Sequence, residues 1–241
     1  MDNQKVHKQH ISTQFNAELE AVKNRLLEMG GEVEAQLRRA TDCLIARDTS
    51  AANVVIEGDR VVNDMEVSID EQCSHILARR QPAASDLRLV LAVAKITTDL
   101  ERIGDEAAKV SRQAVKLAET NNTTSSYVEV RHISNYVINM LRQSLDAFAR
   151  LDVELAVEVV KSDQTVDREY GSAMRSLVTF MMEDPRLISS VLNEMWALRS
   201  LERVGDHASN IAEHIIYLAR GLDVRHVDIE DLIAQVDEVK R

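Results

Sequence analysis

Apolar residues recur along this chain at alternating spacings of three and four, the period of helices buried on one side. Near the middle, Leu89, Val93, Ile96, Leu100, Ile103, Ala107, Val110, Ala114 and Leu117 form one seam. Val90, Ala94, Thr97, Glu101, Gly104, Ala108, Ser111 and Val115 form a second seam beside it. Two seams suit a helix that touches two neighbours. The later stretch Val191, Met195, Leu198, Glu202, Gly205, Ser209, Ala212 and Ile216 repeats the second seam, with glutamate at the same place.

The repetition extends along the chain. LERIGD begins at Leu100 and LERVGD at Leu201, and DCLIARDTSAANVVIEGD (Asp42 to Asp59) aligns with DAFARLDVELAVEVVKSD (Asp146 to Asp163). The spacing differs slightly between the two matches because ILARRQPAASDLR is longer than TFMMEDPRLIS, a change that a loop absorbs. The chain therefore reads as an internal duplication with three helices per copy, at roughly 12–46, 49–78 and 86–118, then 128–150, 153–182 and 187–219. Asp48 and Asp152 are placed to cap the second helix of each copy, Ser85 the third helix of copy one, and Gly221 to end the last. Gly30-Gly31 is expected to kink the first helix. Residues 1–118 make the first repeat, 119–127 a polar linker, 128–221 the second repeat and 222–241 an acidic C-terminal tail. Short connections between long amphipathic helices make neighbours antiparallel, so the fold is expected to be all-α, two tandem pseudo-symmetric three-helix bundles.

Composition narrows the chemistry. Only seven Gly and two Pro punctuate the 241 residues, which disfavours a many-stranded sheet. Cys43 and Cys73 lack metal-binding or redox spacing, and no apolar run could span a bilayer, so a cytoplasmic location is expected. A net charge of −11 with 3% aromatic residues argues against direct nucleic-acid binding and against binding anionic lipid. There is no phosphate-cradling glycine loop, nucleophile elbow or Cys/His pair, so no enzyme is indicated. Glu129-Val-Arg-His132 has the spacing of a di-iron helix but occurs once, and an exposed histidine is the simpler reading.

The acids inside the seams carry the sharper signal. Glu101 with Asp105 and Glu202 with Asp206 are four residues apart, so each pair projects from one helix face. On the preceding helices, Asp59 and Asp163 interrupt apolar seams, with Asn63 and Asp167 one turn on. Asp59 and Asp105 lie equally far along the chain from Pro82, as do Asn63 and Glu101. Asp163 with Asp206, and Asp167 with Glu202, are likewise equidistant from the Asp184-Pro185 step. In an antiparallel hairpin such residues lie at one height, to within about a turn. Crowded carboxylates repel unless they protonate or a cation joins them. Either they hold a metal, with oxygen donors suited to Mg or Mn and carboxylate-bridged Fe or Zn also possible, or they are solvated faces paired with Arg and Lys.

These motifs, together with RQPAASDLR, EGDRVVNDMEVSID and FMMEDP, make residues 10 to 226 resemble the PhoU family of bacterial phosphate-signalling proteins. The resemblance implies a cytoplasmic homodimer that negatively regulates the phosphate-starvation response. It would act as an adaptor between the ATPase of a phosphate ABC transporter and a sensor histidine kinase, reaching the membrane only through partners. It also implies metal held by E/DxxxD motifs, here Glu101 with Asp105, Glu202 with Asp206 and Asp163 with Asp167; Asp59 with Asn63 departs from the pattern, though Glu66 with Asp70 supplies another nearby. Asp86 and Arg88 match the family's DLR loop and have no counterpart in copy two, which favours a one-sided partner contact; a carboxylate at a helix start is the alternative. A metal-dependent enzyme or metal store, and a metal-free helical scaffold, remain the other readings.

Overall fold

The structure is a computed structural model that describes residues 2–120, 128–225 and 227–238. It contains no strand among them. The first repeat comprises α1 (Asp2–Ala46), α2 (Thr49–Arg80) and α3 (Ala84–Ala118). The second comprises α4 (Val128–Arg150), α5 (Val153–Glu183) and α6 (Ile188–Arg220), with a single 3₁₀ turn at Pro185–Leu187 before α6. Within each repeat all three helices pack on one another, giving the two bundles expected from the pattern. Among the described residues no helix is long and apolar enough to cross a membrane. Residues 121–127 of the expected linker lie outside the described residues.

Local chemistry sets most of the helix ends. The Asp48 carboxylate accepts from Ala51 N at 3.0 Å and the Asp152 carboxylate from Leu155 N at 3.0 Å, each filling one orphan donor of a first turn. Gly221 closes α6 in the left-handed region with φ 72°. The expected Ser85 cap is not formed: the helix begins two residues earlier, with Ala83 at the cap position and no side-chain bond there. Nor do Gly30 and Gly31 interrupt α1; a Cβ at Gly30 would collide with Leu145 of α4, so the glycine serves close packing between the repeats. In the region read as a tail, Ile229–Glu238 form a short helix, α7, and Val224 and Leu232 are buried.

The two bundles join through α3 and α6, which form the most extensive helix contact, while α1 also touches α4. The α3–α6 pair runs antiparallel, since Arg88 near the start of α3 reaches Leu218 O near the end of α6, and Glu106 meets Arg203 at 3.2 Å. Between them lies a buried polar cluster. His207 Nδ1 stands 3.0 Å from one oxygen of Asp99, and His214 Nε2 3.3 Å from the other. A carboxylate only accepts, so each imidazole presents an N–H to it. Burial alone would push Asp99 up, but the hydrogen bonds and charge of His207 and His214 hold its carboxyl below the usual carboxylate range. Asn210 Nδ2 donates to the same carboxylate at 3.4 Å.

Replacing Asp99 with Ala should therefore cost about 1–3 kcal/mol, the penalty for stranding buried donors. Urea denaturation measures it, and Asp99→Asn, which keeps an acceptor, should lose less.

Candidate metal centre

The glycine of each LERxGD phrase brings the preceding helix close. A Cβ at Gly104 would stand 3.2 Å from Val62, and one at Gly205 would stand 3.3 Å from the Asp163 carboxylate and 3.4 Å from Val166. The absent side chain thus lets α2 settle on α3 and α5 on α6 at the height of the acids. The apolar seams around them, Val62 and Ile103 in one repeat and Val166 and Val204 in the other, exclude water from the same level.

In the second repeat the acids converge. One carboxylate oxygen from each of Asp167, Glu202 and Asp206 lies within 4.8 Å of the others. Asp163 faces this group from the closely packed side of α5: burial, then the charges of Asp206, Asp167 and Glu202, push its carboxyl up to about 7. Glu202 and Asp206 are also raised, first by burial, then by neighbouring carboxylates, with Arg199 giving partial relief. Arg199 binds one oxygen of Glu202 at 2.5 Å, whereas the other, Oε2, is buried without a hydrogen-bond partner. A carboxylate oxygen shut away from water and protein donors is the kind of ligand a cation satisfies. Three converging carboxylates and a fourth beside them form an all-oxygen donor set, which fits a hard divalent ion or a carboxylate-bridged iron or zinc.

The first repeat assembles a looser version. Burial raises Asp59, Glu66 and Glu101, with Asp105 adding repulsion at Asp59 and at Glu101, and Asp70 at Glu66. Asn63 contributes no charge, and Lys109 approaches Asp105 at 3.9 Å. Asp59 Oδ1 and Asn63 Oδ1 are buried and unpartnered, yet no triad of acids converges here among the described residues. Glu66, set aside from the main motif in the sequence, belongs to this cluster through its mutual repulsion with Glu101; the corresponding position in the second repeat is Tyr170, over whose ring Arg199 stands at 6.0 Å.

Asp86 and Arg88 are not part of either cluster. Both are half-buried at the start of α3, and Arg88 donates to Leu218 O at 3.4 Å, so this side chain ties the two repeats together. His132 of the ExxH phrase pairs with Glu169 at 3.5 Å on the surface of α4 and α5. The Asp99–His207–His214 cluster was missed by sequence reasoning. Its one signal was the spacing of seven between two histidines, which shares a helix face, but their acceptor lies in the other repeat.

Known proteins share this fold. The PhoU domain model matches residues 26–114 and again 130–215. A phosphate-specific transport system accessory protein PhoU from Escherichia coli K12 is 45% identical over 243 residues, covering 100% of both chains. A PhoU homolog of the same description from Pseudomonas aeruginosa is 58% identical over 228 residues, covering 95% of this chain and 94% of the relative. The crystal structure of PhoU from Pseudomonas aeruginosa superposes with a TM-score of 0.84 at 59% identity, over 86% of this chain and 100% of that one. The phosphate transport system regulatory protein PhoU from Streptococcus pneumoniae gives 0.81 at 25% identity, over 86% and 98%.

The crowding of Asp163 sets a pH dependence with a definite sign. Its folded-state value is raised from 3.8 to about 7, so the folded chain holds a proton that the unfolded chain releases. With metal chelated, the stability from this group is fully present below pH 3.8 and is lost as pH rises through about 7. Asp163→Asn should flatten that slope, measured by chemical denaturation across the range.

Proposed function

Because the chain belongs to the PhoU family, we propose that it is a cytoplasmic, non-enzymatic regulator that restrains phosphate uptake and the phosphate-starvation response. In this reading it is an adaptor, a homodimer that contacts the ATPase of a phosphate ABC transporter and a sensor histidine kinase. The observation that carries the proposal is the match of both repeats to the family, together with full-length similarity to a relative named as a phosphate-specific transport system accessory protein. The long, acid-rich helix faces and the absence of a phosphate-cradling glycine loop from the sequence favour protein contacts over reaction with phosphate.

The acidic faces are proposed to hold metal, with Asp163, Asp167, Glu202 and Asp206 as the stronger site and Asp59, Asn63, Glu101 and Asp105 as the weaker. A bound cation would cross-link α5 to α6 by neutralising charges that otherwise repel. Arg199 would steady Glu202 from outside. Asp86 and Arg88 are proposed to mark the edge of a partner contact. Arg88 bonds to Leu218 O of α6, so such an edge would lie at the junction of the repeats.

Glu202→Ala with Asp206→Ala should at least halve the metal retained after gentle purification, because one of two sites loses two ligands; elemental analysis of the purified protein measures it. Unchanged content would exclude this site. Asp86→Ala with Arg88→Ala should weaken association with the transporter ATPase or the kinase and release starvation-gene expression in high phosphate, read by pull-down and a reporter strain. Normal association and full repression would place the contact elsewhere.

A further inference from the structure

The α5–α6 hairpin leaves an apolar strip uncovered. Met182 is 80% exposed and Trp196 63%, with Val178, Ile188 and Leu192 also exposed. The register set by Arg199 over Tyr170 and by the convergence of Asp167 with Glu202 puts Met182 level with Ile188, Val178 with Leu192 and Met174 with Trp196. Two rows of large side chains thus run along a little over two turns of helix, from the hairpin tip toward the acidic site, with Met174 half-buried against the core. Scattered apolar residues on a surface mean little, but a contiguous double row containing Trp and Met is the composition of a docking surface.

The strip has a cationic edge. Arg168 and Arg175 are seven residues apart, share one face of α5 and are exposed, and Arg175 has no ion pair among the described residues. Arg199 and Arg203 extend the line on α6. Of the acids near this line, Glu202 is engaged by Arg199, Asp184 by Arg186 and Glu106 by Arg203, while Asp167 belongs to the acidic cluster at the strip's far end and exposed Glu183 flanks its tip. An acidic partner meets this edge favourably. A net charge of −11 opposes an extended anionic membrane surface more than a short helix whose acids sit in contact with the two arginines, within the screening length. The first repeat has Leu87 and Leu91 at the equivalent positions but Lys95 in place of Trp196, so the strip occurs once per chain.

We propose that this strip docks an amphipathic helix of a partner protein, apolar on the face that meets Trp196 and acidic on the flank that meets Arg168 and Arg175. The proposal deepens the adaptor reading by supplying a surface for it. Its failure is separable, because a peptide test reads the strip alone while repression in cells reads the adaptor role.

Trp196 is the only tryptophan in the chain, so its emission reports directly on the strip. The probe is a synthetic amphipathic helix with leucines at helical spacing and glutamates along its flanks, compared with the same peptide carrying lysines. The glutamate peptide should give a saturable blue shift and the lysine peptide a much weaker one. Leu192→Ser with Met182→Ser should weaken binding at least about tenfold, as loss of central apolar contacts does, with circular dichroism unchanged because both side chains are exposed. Arg168→Glu with Arg175→Glu, which removes no apolar side chain, should reverse the preference between the peptides. The proposal is overturned by no shift with either peptide or by equal response to both. It is also overturned by a shift with anionic lipid vesicles alone, or by a concentration-dependent shift of the protein by itself that tracks dimer mass.

Discussion

The antiparallel contact of α3 with α6 positions everything else in this molecule. Each of these helices touches its own bundle and its sister in the other repeat, so most of its circumference is committed to packing. What remains at mid-height is the side facing α2 or α5, where the acids stand. Asp99 lies two residues before Glu101, and His207 follows Asp206 directly. The tie between the repeats and the two acidic faces therefore occupy neighbouring faces of the same helical turns. A shift of α3 along α6 would break the Asp99 bonds before it moved either carboxylate cluster relative to its own hairpin.

The acidic clusters run against the stability of the fold around them. Closely packed glycines and valines bring carboxylates together where burial already disfavours their charge. Natural sequences keep such local conflict mainly where a ligand resolves it. The two repeats resolve it to different extents: Asn63 and Lys109 reduce the excess charge in the first, whereas the second retains four carboxylates and a buried, unpartnered Glu202 oxygen. The second site consequently has more to gain from a cation.

Much of this was legible in the chain because it depends on spacing. The three-and-four seams reveal helices, the twice-written phrase reveals the duplication, and equal distances from Pro82 and from Asp184-Pro185 bring Asp59 toward Asp105 and Asp167 toward Glu202. Caps by Asp48 and Asp152 are equally local. What escaped depended on contacts between repeats. Nothing beside Arg88 in the sequence indicates that its partner is Leu218 O, and nothing beside His207 or His214 indicates Asp99. Ser85 failed as a cap because the hairpin turns through Gln81 and Ala84, both at positive φ, and the helix has begun before Ser85 is reached. Leu232, in an otherwise acidic stretch, is buried on a short helix whose pattern is too brief to outweigh its charge, and Val224 is buried ahead of that helix.

The differences between the repeats explain how the pseudo-symmetric interface keeps one register. Two identical helices crossing about a two-fold axis bring like residues near one another, so any charge close to the axis meets its own copy. Here the copies have diverged at the positions that meet. Where α3 carries Asp99, Glu106 and Gln113, α6 carries Ser200, His207 and His214, aligned through LERIGD and LERVGD. Acids from α3 thus meet bases from α6, in Asp99 with His207 and His214 and in Glu106 with Arg203. Buried charge pairs of this kind add less to net stability than to uniqueness of register, because a slip by one turn strands their partners in an apolar contact. The same divergence separates the outer surfaces: Tyr170 and Trp196 stand where the first repeat has Glu66 and Lys95. Duplication supplied two equivalent hairpins, and these substitutions leave one with the tighter acidic site and the uncovered apolar strip, and the other with the more dilute charge.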